Sequence, residues 1–490
     1  MGAGNDIAET SRFQARRIGV LLLQHMLRMG LPAFAIWLGS SAQVAAQQSG
    51  EKPVFDTVIV RSQPAEAARP NPLPPPAVAQ PDKAEDSGGA STAAGAQTSK
   101  ASGRRDPYDP AIVRGVRVEA AGRETRFRMQ LSAGVRAEIF TLANPYRVIV
   151  DLPDVAFELA DGTGRSGAGL VTAFRFGLFA ERKARVVIDA TGPVKIQSAK
   201  MAATGKGRAV ELVLELTSIA AEEFGSGTGA GALPPVSKPA VYEDPVPPKA
   251  VSATPLVLID PGHGGIDPGA LGDANVLEKT IVLGVAQKLK RRLDQTGRFR
   301  VELTRSSDIF VSLDQRLKRS RDLGADLFIS LHADSIAAKE YAAVVRGATV
   351  YTLSERASDE QARLMAEKEN ASDRLAGLDT TAIEDGGEEV RGILIDLIKR
   401  ETANFSTDFS NILIGKLKAQ ISLSREPQRS AAFKVLKQTH APSVLVELGY
   451  MSNETDAKLM GQAEWQGKVA QSIMSAVDAF FDKRTARTLP

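Results

Sequence analysis

Cysteine is absent from all 490 residues. Disulfides, thiolate metal ligands and thiol nucleophiles are excluded with it, so any metal must be held by His, Asp or Glu. Histidine is scarce: the chain has His25, His263, His332 and His440 and no others. No sign of charge dominates either, with 61 Lys+Arg against 58 Asp+Glu, so no broad field steers the chain to nucleic acid. An unbroken apolar run of membrane-spanning length is also missing. Arg28 divides Ile18–Leu27 from Met29–Leu38, and each piece is shorter than the ~20 residues a helical span requires.

That divided run has the look of an export signal. Arg16 and Arg17 precede it, and Ser40 to Ala46 ends it in a small-x-small site, so residues 1–46 are expected to be removed after Ala46. The arginine pair also suits a twin-arginine signal, which leaves the Sec and twin-arginine routes both open. A retained anchor is the competing reading; otherwise the chain meets the membrane only through this signal. His25 lies inside the segment and is set aside.

Residues 47–110 are rich in Pro, Ala, Ser and charge, as in Pro70-Asn71-Pro72-Leu73-Pro74-Pro75-Pro76. They lack the apolar content to fold and read as a disordered linker. Residues 221–254 form a second linker, Gly-rich and then Pro-rich. Between them, residues 111–220 read as all-β. Phe127, Met129 and Leu131 alternate with Arg128 and Gln130. Arg147-Val148-Ile149-Val150-Asp151-Leu152-Pro153 and Arg185-Val186-Val187-Ile188-Asp189-Ala190-Thr191-Gly192-Pro193 repeat one shape of Arg, apolar run, Asp and Pro. Two sheets packed as a small sandwich are expected. From Phe140 to Pro153 the segment resembles the amidase N-terminal (AMIN) domain, which implies binding to the cell wall; a bland spacer domain is the alternative.

From residue 255 to about 485 the pattern changes. Leu256–Ile259, Val301–Leu303, Ala325–Leu331, Ala348–Leu353 and Ser443–Val446 read as strands. Helices are expected over Ile281–Leu293, Leu313–Leu323, Glu355 to about Ser372, Phe405–Ile421 and Gln462 to about Phe481. The alternation predicts an α/β domain whose mostly parallel sheet is covered by helices on both faces.

Sites in such sheets cluster outside the carboxyl ends of the strands. His263 follows the first strand, His332 ends the third, and Glu447 ends the last. Glu278 stands at the start of the first helix, where a carboxylate is electrostatically favoured, and the Gly-rich loop before it is long enough to bring it beside His263. Each alone has an ordinary explanation: a backbone-capping turn histidine, a hydrogen-bonded core histidine, a helix-start acid, a strand-end surface acid. Together His263, Glu278 and His332 form a His₂Glu set, the ligand pattern of hydrolytic zinc, with one Zn²⁺ expected. Zinc so held lowers the pKa of a water to about 7 and polarises a carbonyl. A further carboxylate must carry the water's proton to the leaving amine, and Glu447 is the candidate. His440 precedes the last strand, at its opposite end, and reads as structural.

The stretches Asp260-Pro261-Gly262-His263-Gly264-Gly265-Ile266-Asp267-Pro268-Gly269-Ala270, Glu278-Lys279, Ala325 to Asp334 and Pro442 to Asn453 resemble the zinc N-acetylmuramoyl-L-alanine amidases of cell separation. The resemblance implies His263, Glu278 and His332 as zinc ligands and Glu447 as the catalytic carboxylate. It implies cleavage of the amide joining N-acetylmuramic acid to L-alanine in peptidoglycan, in the periplasm. Asn275 stands where the family usually has Gly, and the loop should still form because Asn tolerates the left-handed region.

Members of this family from Gram-negative bacteria carry an inserted helix that blocks the zinc and is displaced by an activator with a LytM-type domain. The acidic stretch Glu384 to Arg391, followed by Ile393, Leu394, Leu397 and Ile398, is the candidate insertion, over about 380–402. Glu388 is the expected plug, with Glu384 and Glu389 as neighbouring candidates; a solvated surface helix is the alternative. Two further readings of the whole chain stand beside the amidase: a non-catalytic wall-binding protein on an inactive amidase fold, and a zinc peptidase or deacetylase using the same His₂Glu set.

Overall fold

The computed structural model describes residues 58–60, 109–205, 207–225, 254–272, 276–336, 344–378, 393–438 and 440–488. The expected export signal, nearly all of the first linker, most of the second, Asn275 and the acidic stretch 379–392 lie outside these residues.

The all-β part is a sandwich of two five-stranded sheets. Its strands are β1 (Val58–Val60), β2 (Ala111–Ala121), β3 (Glu124–Leu131), β4 (Ala137–Leu142), β5 (Arg147–Pro153), β6 (Val155–Phe157), β7 (Val171–Ala180), β8 (Lys183–Ala190), β9 (Val194–Ala203) and β10 (Val210–Ser218). One sheet runs β1-β4-β5-β8-β7 and the other β6-β2-β3-β10-β9. Alternating residues such as Phe127, Met129 and Leu131 meet Ile139, Val148, Val150, Val186 and Ile188 to fill the space between them. β1 corrects the sequence reading of residues 47–110 as one unstructured linker. Its β-branched triplet adds a parallel edge strand to β4, which supplies backbone partners that a linker would lack.

The two Arg–Asp repeats are β5 and β8, paired antiparallel. The register sets Arg147 opposite Asp189, Ile149 opposite Val187, and Asp151 opposite Arg185. The repeated order, read in opposite directions, therefore puts each arginine across from the other repeat's aspartate on one face. Both strands are buried along most of their length, because that outer face is covered as well as the inner one.

The α/β part has a six-stranded sheet built from β11 (Leu256–Pro261), β12 (Arg300–Leu303), β13 (Leu327–His332), β14 (Ala348–Leu353), β15 (Leu423–Ala431) and β16 (Ser443–Glu447), in the order β12-β11-β13-β16-β14-β15. β12, β11, β13 and β16 are mutually parallel, and β14 runs antiparallel to β16. The helices are α1 (Glu278–Thr296), α2 (Leu313–Leu323), α3 (Glu360–Asn370), the short α4 (Ser372–Leu375), α5 (Ile393–Lys418), α6 (Glu454–Met460) and α7 (Ala463–Thr488). Ile281, Val282, Val285, Leu289 and Leu293 of α1 pack on one face with residues of α5 and α7. Residues of α2 and α3 pack on the other with Leu256, Leu258, Phe328 and Leu445. No described helix is long and apolar enough to cross a membrane.

Two features differ from the sequence reading. β15 was not expected: it reads Leu-Ser-Arg-Glu-Pro-Gln-Arg-Ser-Ala, a polar composition that only an edge strand accommodates. The pattern at Ile393–Ile398, expected to belong to a separate inserted helix, instead forms the first turns of α5, continuous with the helix expected from Phe405.

Beneath the carboxyl end of β11 lies a buried charge. Asp260 accepts bonds from Thr304 Oγ1 (2.6 Å), Ser330 Oγ (2.7 Å) and the Arg316 guanidinium. Arg316 also donates to the carbonyls of Pro261 (2.9 Å) and His263 (2.9 Å), so the pair fixes the turn that aims His263. Burial pushes the Asp260 pKa up, but Arg316 and the two hydroxyls win and hold it below the ordinary value. Asp260→Asn is therefore expected to destabilise the chain by about 3–5 kcal/mol at neutral pH, because Arg316 is left buried and unpaired. A depressed folded pKa contributes stability that is fully present above the unfolded value of about 3.9 and lost as pH falls through the folded one. Chemical denaturation of parent and variant should give curves whose separation narrows below pH 4.

Candidate active site

The carboxyl ends of β11, β13 and β16 and the start of α1 meet at one point. His263 follows β11 in the left-handed region (φ 57°), within the turn held by Arg316 and by Arg305, which donates to the carbonyls of Pro261 (3.0 Å) and Gly262 (2.8 Å). Asp267 fixes the ring, with Nδ1 2.9 Å from Oδ2, and so leaves Nε2 directed at the centre. Glu278, the first residue of α1, is anchored by the amides of Ala270 (2.7 Å) and Ala333 (2.7 Å). Its Oε1 lies 3.1 Å from His263 Nε2 and 3.3 Å from His332 Nδ1. One donor atom from each of His263, Glu278 and His332 thus falls within 4.8 Å of the others.

Glu447 is the strand neighbour of His332 across β13 and β16. Its Oε2 accepts from the Asp334 amide (2.9 Å), while Oε1 is buried with no hydrogen-bond partner. Burial, followed by the nearby Asp334 carboxylate, raises its pKa well above the ordinary value, against the pull of His332.

A further carboxylate was missed by the sequence reading. Glu369, at the end of α3, puts Oε2 3.1 Å from His332 Nδ1 and 3.4 Å from His263 Nε2. The signal was present in the sequence: Ala362, Met365 and Ala366 form the buried stripe of α3, and Glu369 occupies its next turn, where an apolar residue would ordinarily stand. Beside it, Lys368 pairs with Asp334. Glu384, Glu388 and Glu389, expected as plugs, lie outside the described residues. His440 is remote from the cluster and rests against Ser320 (3.3 Å).

The electrostatics favour a cation. Burial alone would lower both imidazole pKa values, but Asp267, Glu278 and Glu369 raise His263 well above the ordinary value, and Glu369 and Glu278 push His332 up to about 10. Glu278 is held well below the carboxylate range by the two imidazoles, against burial. The carboxylates that raise the two imidazoles, Glu278 and Glu369, lie where they would equally stabilise a cation between the rings. His263 Nε2 and His332 Nδ1 are buried without a hydrogen-bond partner of good geometry, which suits them to a metal. A borderline-soft ion such as zinc matches this nitrogen-rich set.

Residues 257–479 match the family described as N-acetylmuramoyl-L-alanine amidase, and residues 115–212 match the AMIN domain. The chain is 30% identical over 383 residues to the N-acetylmuramoyl-L-alanine amidase AmiC of Escherichia coli O6:H1, covering 75% of this chain and 88% of that protein. It is 37% identical over 227 residues to AmiA of Escherichia coli K12, covering 46% of this chain and 76% of that protein. Among solved structures, the catalytic domain of CwlV, an amidase from Bacillus (Paenibacillus) polymyxa var. colistinus, is 26% identical with a TM-score of 0.33, over 47% of this chain and 99% of that one.

A test of the site's tolerances follows from Gly262. A Cβ there would lie 2.4 Å from His332 Cε1. Gly262→Ala should leave the fold intact by circular dichroism, turn the His332 ring, and lower metal affinity by about 10–100-fold, the range typical of a disturbed ligand support.

Proposed function

This chain belongs to the N-acetylmuramoyl-L-alanine amidases that carry an AMIN domain and acts on peptidoglycan, and we propose that it does so as a zinc hydrolase, exported to the periplasm for wall remodelling at cell separation. The observation that carries the zinc reading is the convergence of His263, Glu278 and His332, with both imidazole nitrogens buried and unbonded. Zinc in that set would polarise the scissile carbonyl and acidify a water.

The chain's own residues supply the remainder. Asp267 keeps the His263 proton on Nδ1, so that Nε2 stays available. The Asp334 amide pins Glu447 Oε2, leaving Oε1 to accept the proton of the attacking water. As the carbon–nitrogen bond breaks, Oε1 returns that proton to the L-alanine amine, and the carboxylate is regenerated. The β-sandwich, residues 111–220, is assigned to holding the enzyme at the wall, with residues 255–485 as the catalytic domain.

The enzyme is also self-blocked in this reading, by Glu369 rather than by Glu384, Glu388 or Glu389. Its Oε2 lies against both imidazoles, and α3 covers the cluster so closely that His263 and His332 are each 6% exposed. A substrate reaches Glu447 only when α3 withdraws, and a partner that binds the withdrawn state, such as a LytM-type activator, would raise activity.

Purified protein should contain about one zinc, and His332→Ala should lose both metal and turnover. Glu447→Gln should keep its zinc while releasing stem peptides from purified peptidoglycan about 10²–10⁴-fold more slowly. Full zinc in His332→Ala would refute the ligand set, and near-parental turnover in Glu447→Gln would remove that residue from the chemistry. Glu369→Ala should raise basal hydrolysis about tenfold or more, since a charge-assisted contact of its kind is worth about 1.5–3 kcal/mol. A folded, zinc-bound variant no faster than the parent would leave Glu369 as a packing residue.

A further inference from the structure

The outer face of the sheet β1-β4-β5-β8-β7 is turned toward the active-site domain. Phe140, Ile149, Phe179 and Val187 from the sandwich bury one apolar cluster with Ile266, Phe310 and Ala376, and Leu142 and Leu378 pack at its edge. The backbones themselves touch. Leu178 O accepts from the amides of Ile266 (3.2 Å) and Phe310 (3.2 Å), and a Cβ on Gly265 would lie 1.8 Å from that oxygen. Ile266 is the neighbour of Asp267, the residue that orients His263.

At the centre of this face stand the two arginines of the β5 and β8 repeats. Arg185 is wholly buried and uses every edge of its guanidinium. Nε and Nη2 clasp Asp151 (2.6 and 2.9 Å), and the plane lies over the Phe179 ring, 3.5 Å from its centroid. Nη1 is left to donate to the carbonyls of Ala376 (3.1 Å) and Gly377 (3.1 Å). Arg147 donates through Nη1 to the carbonyl of Arg374. Asp151 stays charged, since Arg185 and Lys183 together overcome its burial and hold its pKa below the ordinary value.

The carbonyls so gripped are that of Arg374, within the short α4, and those of Ala376 and Gly377 just beyond its end. Only Ala371 separates α4 from α3, and Glu369 is the penultimate residue of α3. Arg374, whose carbonyl is the first held by the sandwich, therefore follows Glu369 by only five positions. A buried arginine is expensive to desolvate and needs its partners. Here part of that partnership crosses from one domain to the segment that covers the other's active site.

We infer that the β-sandwich is an internal clamp on the blocking segment: Arg147 and Arg185 hold residues 374–377, and through them keep α3 and Glu369 in the site. This rests on the reading that Glu369 blocks the enzyme. Withdrawal of α3 then requires that the carbonyls of 374, 376 and 377 leave the two arginines. Whatever draws the sandwich away from the catalytic domain, its wall ligand included, lowers the barrier to opening. The sandwich thereby couples location to activity rather than serving as a passive tether.

The test uses the full chain loaded with zinc, in two variants made from opposite sides of the interface. One is Arg147→Ala with Arg185→Ala; the other is Leu378→Glu, which leaves every sandwich residue unchanged. Hydrogen exchange of residues 360–378 is read against that of β2, β3, β9 and β10, which reports whether the sandwich is folded. With the clamp lost, exchange in 360–378 should rise about 10–100-fold while those strands keep their protection. Basal release of stem peptides should rise with it, and adding Glu369→Ala should produce little further gain. Faster exchange with unchanged hydrolysis would uphold the clamp and refute the blocking role of Glu369. Unchanged exchange in 360–378 would overturn the clamp. Should the double arginine variant unfold the sandwich, because Asp151 is left buried with Lys183 alone, the Leu378→Glu result decides.

Discussion

Glu278, Glu369, Glu447, Asp267 and Asp334 are all buried at the carboxyl end of one sheet, and such a group persists only with positive charge held among them or with a proton taken up, the direction in which Glu447 is pushed. His263 and His332 supply that charge at the centre, and Lys368 supplies it at the edge through Asp334. The demand shapes the surrounding backbone. Arg305 and Arg316 hold the turn that carries His263, the amides of Ala270 and Ala333 fix Glu278, and the Asp334 amide fixes Glu447. A divalent ion held by His263, Glu278 and His332, as proposed, would meet the same demand.

The same constraint accounts for closure. Glu369 adds a further carboxylate to a pair of imidazoles already raised by Glu278, and it is stabilised there because they are charged. Its helix, α3, is tied to the centre through Lys368 on Asp334, and the α4 that follows through Ser372, which donates to Asp267 (2.6 Å). Residues 374–377 are held besides by two arginines of another domain. In the proposed clamp, access to the site depends on charge pairs some distance from the chemistry.

Several parts of the fold were legible because they follow from local pattern. The buried stripe Ile281, Val282, Val285, Leu289 and Leu293 marks α1, and the apolar runs of β11, β13 and β16 mark a sheet covered on both sides. β15 was illegible because an edge strand needs no apolar face, and β1 because three residues make no period. Glu369 was overlooked for a different reason. A glutamate in a helix is ordinarily solvated, and the stripe of Ala362, Met365 and Ala366 that carries this one inward is a weak apolar signal beside so many charged neighbours.

By itself the sequence determined the chemistry available. With no cysteine and four histidines, one of them in the expected export segment, it confined nitrogen ligands for a metal to very few residues. Strand-end positions selected His263, His332 and Glu447, because side chains at the carboxyl ends of parallel strands share one rim. Tertiary structure alone decided which carboxylate faces the two imidazoles from across the cleft. It also decided what the Arg–Asp repeats of β5 and β8 do. The repeats predict strands, but antiparallel pairing sets Arg185 across from Asp151, and domain contact turns its remaining edge onto residues 376 and 377. Such contacts join residues some 190 positions apart. They arise from the meeting of two folded surfaces, and no local periodicity encodes them.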